Sequence, residues 1–333
     1  MPAAVAGPPP PAPGPAVDFA LVLPLDTPAY ARAADAVRAG FLAAAGAAGA
    51  LDRCTVIAHG EDGVIGAFDT AKARGARVIV GPLVRDDLKT IAIAAGDWPL
   101  TIALNQLDDG MALPPRMYSL ALTVESDARV IARRALDDGA KAVDVIEGDS
   151  ALMRRLASAF AAEWIAGGGA APAAHAVEPT VASLGILRRT LGKAQPAAVV
   201  LAMDGDRAAL VKPYLGPITA YASGLVFERP QAAVARDLDN IRVVEIPWIV
   251  APDAQAFERL PRRDVGGAAL TRLYALGLDA FRAAQAFVDG VPDRLELDGA
   301  IGHLVLGENR QFQREGRLAV YRDGQLVPLD PTR

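Results

Sequence analysis

Gly148-Asp149-Ser150 follows the apolar run VDVIE, and a Gly-Asp-Ser turn at a strand end is one way to present a serine hydroxyl as a nucleophile. That chemistry needs an adjacent base and a group to orient it. The three histidines, His59, His175 and His303, are scattered, and none stands in the Asp-x-x-His arrangement such a hydrolase uses. Ser150 also stands where a helix N-cap stands, which accounts for it without chemistry. The histidines offer no i, i+4 pair and Cys54 is the only cysteine, so neither a metal site nor an internal disulfide is expected. Gly60, Gly63 and Gly66 run G-x-x-G-x-x-G rather than G-x-G-x-x-G, and there is no Walker A sequence. No catalytic residue, metal or cofactor is assigned.

What remains is recognition, and the elements that would position it are legible. From Asp18 onward short β-branched runs alternate with helical patterns, which predicts parallel sheets with crossover helices. FALVLPL, CTVIAH, RVIVGPL and PLTIALN read as strands of a first α/β half. VDVIE, AAVVLA, ITAYASG and IRVVEIPWI read as strands of a second, and RMYSLALT leads from one to the other. In open α/β sheets ligands sit at the carboxyl ends of the strands. That geometry selects Asp26, Thr27, Gly81, Pro82, Leu83, Asn105 and Gln106 in the first half, and Glu125, Ser126, Gly148, Asp149, Ser150, Asp204 and Ser223 in the second. Helix N-termini at such ends offer N–H groups to a carboxylate, so an amino acid or peptide fragment is the ligand class expected. Against that, Thr27, Ser126, Ser150 and Asp204 stand at N-cap positions, and nearby acidic side chains would repel a carboxylate.

A chain of 333 residues exceeds what one core organises, so about two compact units are expected. It is 52% hydrophobic, with 34 basic against 39 acidic residues and a net charge of −5, which argues against nucleic acid as a partner. No apolar run is long enough to span a membrane. The first 17 residues, MPAAVAGPPPPAPGPAV, have neither the basic start nor the Leu-rich stretch of a secretory signal, and their proline density predicts an extended tether.

Helical spacing of Leu270, Leu273, Tyr274, Gly277, Phe281, Ala284 and Val288 predicts a long helix ended by Gly290. GHLVL and then RLAVYRDGQLVPL, with Asp323-Gly324 between alternating segments, read as antiparallel hairpin. The chain then crosses between lobes more than once, with 18–122 and 252–290 in one lobe and 123–251 and 291–329 in the other. Pro247-Trp248, where the chain leaves its last core strand, is expected as a buried lobe junction, the alternative being an exposed interface anchor. Arg133-Arg134, Arg154-Arg155, Arg188-Arg189 and Arg262-Arg263 are paired basic spots that could dock an acidic partner surface if they cluster.

Residues 18–329 resemble the C-terminal domain of the LppC/LpoA penicillin-binding-protein activators. The resemblance is carried, in order, by ALVLPL with VRAGFLAA, ARVIVGPLVRDDL, PLTIALNQ, YSLALTVESDARVIARRALDDG, LASAFAAEWIAGGG, QPAAVVLAMDGDRAALVKPYL, DLDNIRVVEIPWIV, RLYALGLDAFR and GAIGHLVLGENRQFQREGRLAVYRDGQ. The IPWIV segment, RLYALGLDAFR and the final hairpin separate it from general solute-binding proteins, which share VGPL. The resemblance implies two Rossmann-like lobes of the type I periplasmic binding protein kind with hinge crossovers. It also implies a non-enzymatic outer-membrane lipoprotein that activates a bifunctional penicillin-binding protein, a peptidoglycan synthase, from the periplasm. Two departures stand out: no helical-repeat domain precedes residue 18, and LDRC at Cys54 is not a lipobox, so a lipid anchor is expected outside this sequence. The alternative reading is the solute receptor of an ABC transporter for an amino acid or amide.

Overall fold

Phe19–Leu23 is apolar at every residue, and a strand that must be covered on both faces belongs in the middle of a parallel sheet. The computed structural model describes residues 17–329 apart from 95, 109 and 229–236. It places β1 (Phe19–Leu23) between β2 (Cys54–Ala58) and β3 (Val78–Val80), with β4 (Leu100–Ala103) and β5 (Met117–Ser119) beyond β3. All four pairings are parallel. Helices α1 (Ala31–Ala47), α2 (Val64–Ala73) and α3 (Arg85–Ala94) make the crossovers. The expected tether lies outside the described residues except for Val17.

The second sheet repeats the plan. β6 (Val143–Glu147), β7 (Ala174–Ala176), β8 (Ala198–Ala202), β9 (Thr219–Ser223) and β10 (Arg242–Glu245) are parallel, in spatial order β10-β9-β8-β6-β7. They are linked through α5 (Ala151–Ala166), α6 (Val181–Ala194) and α7 (Gly205–Val211), while α4 (Val124–Asp137) leads into β6. Two antiparallel strands, β14 (Arg317–Arg322) and β15 (Gln325–Pro328), extend this sheet past β10. Asp323 and Gly324, with φ of 49° and 84°, form the turn between them, and positive φ at both central residues is what a two-residue primed hairpin needs.

The tail corrects the expected boundaries. Residues 291–329 do not travel together: β11 (Glu296–Asp298), β12 (His303–Leu306) and β13 (Phe312–Glu315) form a separate antiparallel sheet. Its apolar side chains Leu295, Ile301, Leu304 and Phe312 join the cluster that contains Phe19 and Phe281 in the first lobe. The chain therefore crosses between lobes after β5, again through α8 (Pro247–Val250), and a third time at Gly316 rather than at residue 290. GHLVL pairs with β11 and β13, not with the terminal hairpin. Alternation marks a strand as antiparallel but does not say which core its apolar face will cover.

The first lobe is closed by α9 (Ala268–Phe287), which lies against α1 at van der Waals limits. A Cβ on Gly40 would come within 1.9 Å of the Tyr274 carbonyl oxygen, and one on Gly277 within 2.1 Å of the Val37 carbonyl oxygen. Two glycines facing each other's helix let the backbones touch, which brings Phe281 edge-on to Phe19 and Phe41, with ring centroids 5.4 and 5.3 Å apart. In the second lobe the Tyr221 hydroxyl donates to Asp138 at 2.7 Å and accepts from Arg242 at 2.9 Å.

Gly277→Ala is expected to destabilise the chain by about 1–3 kcal/mol through overpacking, seen as a lower denaturant midpoint at unchanged m. A variant as stable as the parent would mean the helices part at no cost. Burial first, then the bond to Asp138, pushes the Tyr221 phenol from near 10 up to about 12. Raised in the fold, this group contributes stability in full below pH 10 and loses it as pH climbs toward 12. Tyr221→Phe should remove that part of the alkaline slope, on the order of 2–3 kcal/mol; an unchanged slope would assign it to other groups such as Cys54, whose thiol burial pushes up to about 11.

Candidate functional site

At the strand ends of the first lobe, the polar groups selected from sequence are largely spent on the loops themselves. Asp26 is exposed, and its N–H donates to the His59 carbonyl. Thr27 is buried and is not a side-chain cap: its carbonyl accepts the N–H groups of Tyr30 and Ala31, and Tyr30 is the N-cap of α1. Gly81 carries φ 122°, and a Cβ there would lie 2.2 Å from the Val22 carbonyl oxygen, so both the backbone angle and the close approach call for glycine. Pro82 accepts the Leu104 N–H through its carbonyl, and Leu83 accepts the Asn105 side-chain amide at 2.9 Å. The Asn105 carbonyl side-chain oxygen in turn takes the Gln106 N–H at 2.9 Å. What faces outward is a mostly apolar cavity of about 490 Å³, walled by Tyr30, Leu83, Leu122 and Leu273 with Asn105 and Arg85 at its polar end.

In the second lobe, capping explains most of the selected residues. Ser150 caps α5 by accepting the Met153 N–H at 3.2 Å, and Asp204 caps α7 by accepting the Arg207 N–H at 2.9 Å. The cap of α4 is Thr123, not Ser126, which sits three residues on with its hydroxyl 2.7 Å from that of Thr123. Asp149 pairs with Arg207 at 2.7 Å, beside Gly148, whose N–H donates to the Ala202 carbonyl. Glu125 pairs with Arg155 at 2.6 Å. Ser223, at the end of β9, is buried and donates to Asp127 at 2.8 Å.

That last bond leads to residues absent from the sequence-based set. Glu245 ends β10 at 3% exposure, and Arg272 from α9 meets it bidentately, Nε to Oε1 at 3.0 Å and Nη2 to Oε2 at 2.6 Å. The same Nη2 donates to the Gly224 carbonyl at 2.7 Å, and Glu245 also takes the N–H of Ile246. Beside this pair Arg314 of β13 meets Asp127 of α4 and donates to the carbonyls of Thr123 and Ile301, each at 3.1 Å. Burial drives the Asp127 carboxyl above the usual carboxylate range, opposed by Arg314. Both guanidiniums come from elements packed into the first core, and both carboxylates from the second lobe. The carboxyl ends of β9 and β10, where an open sheet would hold a ligand, thus hold the protein's own cations. Arg272 is legible as a cation on a helix face that it shares with Ala275, Leu276 and the buried Asp279; its partner is not.

The histidines stay apart from Ser150. His59 shares Nδ1 with the Gly60 carbonyl at 3.0 Å, and His175 lies 2.8 Å from Asp144. His303 lies 2.9 Å from Asp298 and 3.0 Å from Glu296, and the Asp298 bond first of all holds its pKa above the usual value. Among the described residues no three or more His, Cys, Asp or Glu side chains are grouped to hold a metal ion, and no helix is long and apolar enough to cross a membrane. Pro247 opens α8, and Trp248 is 3% exposed, edge-on to Phe257 at 5.4 Å under the Arg262 guanidinium, which lies 3.7 Å above its ring.

The description of the LppC lipoprotein family matches residues 14–324. Penicillin-binding protein activator LpoA of Edwardsiella piscicida is 27% identical over 312 residues, covering 78% of this chain and 44% of that protein. LpoA of Mannheimia succiniciproducens is 26% identical over 278 residues, covering 80% and 48%. The chain spans less than half the length of these curated relatives. Among solved structures, one described as a branched-chain amino acid ABC transporter from Chromobacterium violaceum superposes with a TM-score of 0.81 at 33% identity, covering 91% of this chain and 99% of that one. The C-domain of LpoA from Haemophilus influenzae, a regulator of PBP1A, gives 0.79 at 23% identity over 94% and 99%, a likeness of fold.

Arg272→Met leaves Glu245 buried without its cation and should cost about 3–5 kcal/mol. Adding Glu245→Gln removes the stranded charge and keeps an acceptor for the Ile246 N–H, so the double variant should regain most of the loss in chemical denaturation. Losses that simply add would show that the pair does not act as a unit.

Proposed function

The chain belongs to the LppC lipoprotein family, and from that premise we propose that it regulates a bifunctional penicillin-binding protein by direct contact and performs no chemistry of its own. Its relatives carry the names of activators and regulators of such synthases. The observation that carries the reading is the occupation of the second-lobe strand ends by Arg272 and Arg314. A solute receptor needs those ends for its ligand and needs lobes that close around it. Here two buried ion pairs join the lobes where closure would be felt, which suits a body presented as a surface to another protein. The proposal includes a periplasmic setting and lipid attachment to the outer membrane, in keeping with a family of lipoproteins.

A second reading, the solute receptor of an amino-acid transporter, is favoured by the likeness to the Chromobacterium violaceum structure and by the first-lobe cavity at Tyr30, Asn105 and Leu273. The two readings part cleanly on ligand response. Binding of ligand at about 100 times Kd would stabilise a receptor by about 2.7 kcal/mol, or several degrees in Tm.

Purified chain mixed with its organism's bifunctional penicillin-binding protein is expected to bind it and to raise the rate of peptidoglycan polymerisation or cross-linking at least twofold. Millimolar leucine, isoleucine or valine should leave Tm within about 1 °C, well below a receptor's shift. A concentration-dependent rise in Tm together with no effect on the synthase would replace the activator reading with the receptor one.

A further inference from the structure

The groove of about 1040 Å³ on the outer face of the first lobe lies between α1 and the segment that enters α9. It exceeds the range of roughly 300–1,000 Å³ usual for small-molecule pockets. Its floor is Ala36, Ala39, Leu42 and Ala43 of α1 with Leu51, Val56, Val265 and Leu270. Leu51 is 52% exposed, a large apolar side chain on the surface beside the half-buried Leu42, Val56, Val265 and Leu270.

The rim is basic. Several arginines elsewhere are met by carboxylates, Arg133 by Glu163 and Glu315, Arg134 by Asp138, and Arg155 by Glu125. Around the groove Arg38 pairs with Asp35 at 2.8 Å. Among the described residues no carboxylate comes within ion-pair distance of Arg32, Arg262 or Arg263. Asp264, the remaining acid of the rim, is turned to its own loop, accepting the Gly266 N–H at 2.9 Å. Arg262 is fixed in place over Trp248 by bonds to the carbonyls of Trp248 and Pro252, while Arg32 and Arg263 are exposed. Three guanidiniums without acid partners border an apolar floor about two helical turns long, and charge of one sign around such a floor selects a partner of the opposite sign.

We propose that this groove is a docking site for an acidic segment of a partner protein, its apolar side chains on the α1 floor and its carboxylates on Arg32, Arg262 and Arg263. The proposal rests on the regulatory reading for the identity of that partner, a bifunctional penicillin-binding protein, but the groove can be tested without it. Rim charges chiefly set association rate and salt dependence, so the contact should weaken as ionic strength rises.

The test measures affinity of the full chain for the purified synthase, in parent, Arg32→Glu/Arg263→Glu and Leu51→Glu forms, with Arg188→Glu/Arg189→Glu on exposed α6 as a charge-matched control. Arg262 is left alone because it supports Trp248, and unchanged Tm certifies each fold. Expected is binding at least tenfold weaker for the groove variants and within twofold of parent for the control. Equal binding by all forms overturns the groove and leaves the regulatory reading standing. If the parent does not bind the synthase, that reading fails, and a synthetic twelve-residue Glu/Leu peptide with its Lys/Leu counterpart decides the groove: preference for the Glu peptide, lost in Arg32→Glu/Arg263→Glu, supports it, and no preference overturns it. Sedimentation showing a dimer of the parent that the groove variants abolish would give the groove to a second copy and overturn the proposal.

Discussion

The two sheets meet through buried charge. Bringing a guanidinium and a carboxylate out of water costs several kcal/mol for each ion, and their attraction repays it only when geometry is good and the remaining donors and acceptors are met. Arg272 meets Glu245 through two parallel bonds and spends a third on Gly224, while Arg314 spreads its donors over Asp127, Thr123 and Ile301. Such pairs add little net stability over a well-packed apolar contact, yet breaking one side is severe. Their effect is on geometry: α9 and β13 can take one position against β10 and α4, and others leave a charge stranded.

Apolar packing does the complementary work within each lobe. Gly40 and Gly277 allow α1 and α9 to touch along their backbones, so Phe19, Phe41 and Phe281 form one interlocked group under the first sheet. α4 and α5 cover the second sheet through Ile131, Leu156, Phe160 and Trp164. Trp248, under Arg262 and against Phe257 and Tyr274, fills the place where the chain returns from the second lobe to the first. The same return segment forms one wall of the basic groove, so the junction and the outer surface are shaped by one short stretch of chain.

Much of this was legible because it is local. Runs such as FALVL and AVVLA, the caps Ser150 and Asp204 and the Asp323-Gly324 turn each state their conformation within a few residues. At Thr27 and Ser126 cap preference marks a neighbourhood and not a position; Tyr30 and Thr123 take those roles. β7, β11 and β13 are three or four residues long, alternating exposed residues with one or two inward ones, too short to carry a period. The candidate site suffered most. Glu245 and Arg272 stand 27 residues apart, Asp127 and Arg314 stand 187 apart, and a charge inside an apolar stretch announces burial without naming its counter-ion.

The position of β14 has a further bearing on how the molecule is made. It lies directly beside β10, hydrogen-bonded along its length, although some seventy residues of first-lobe chain intervene. Neither lobe is a continuous piece of polypeptide, and no single cleavage yields two complete halves. Until residues beyond Gly316 have joined, β10 keeps an open edge. The terminal hairpin is the latch that shuts the second sheet on that side.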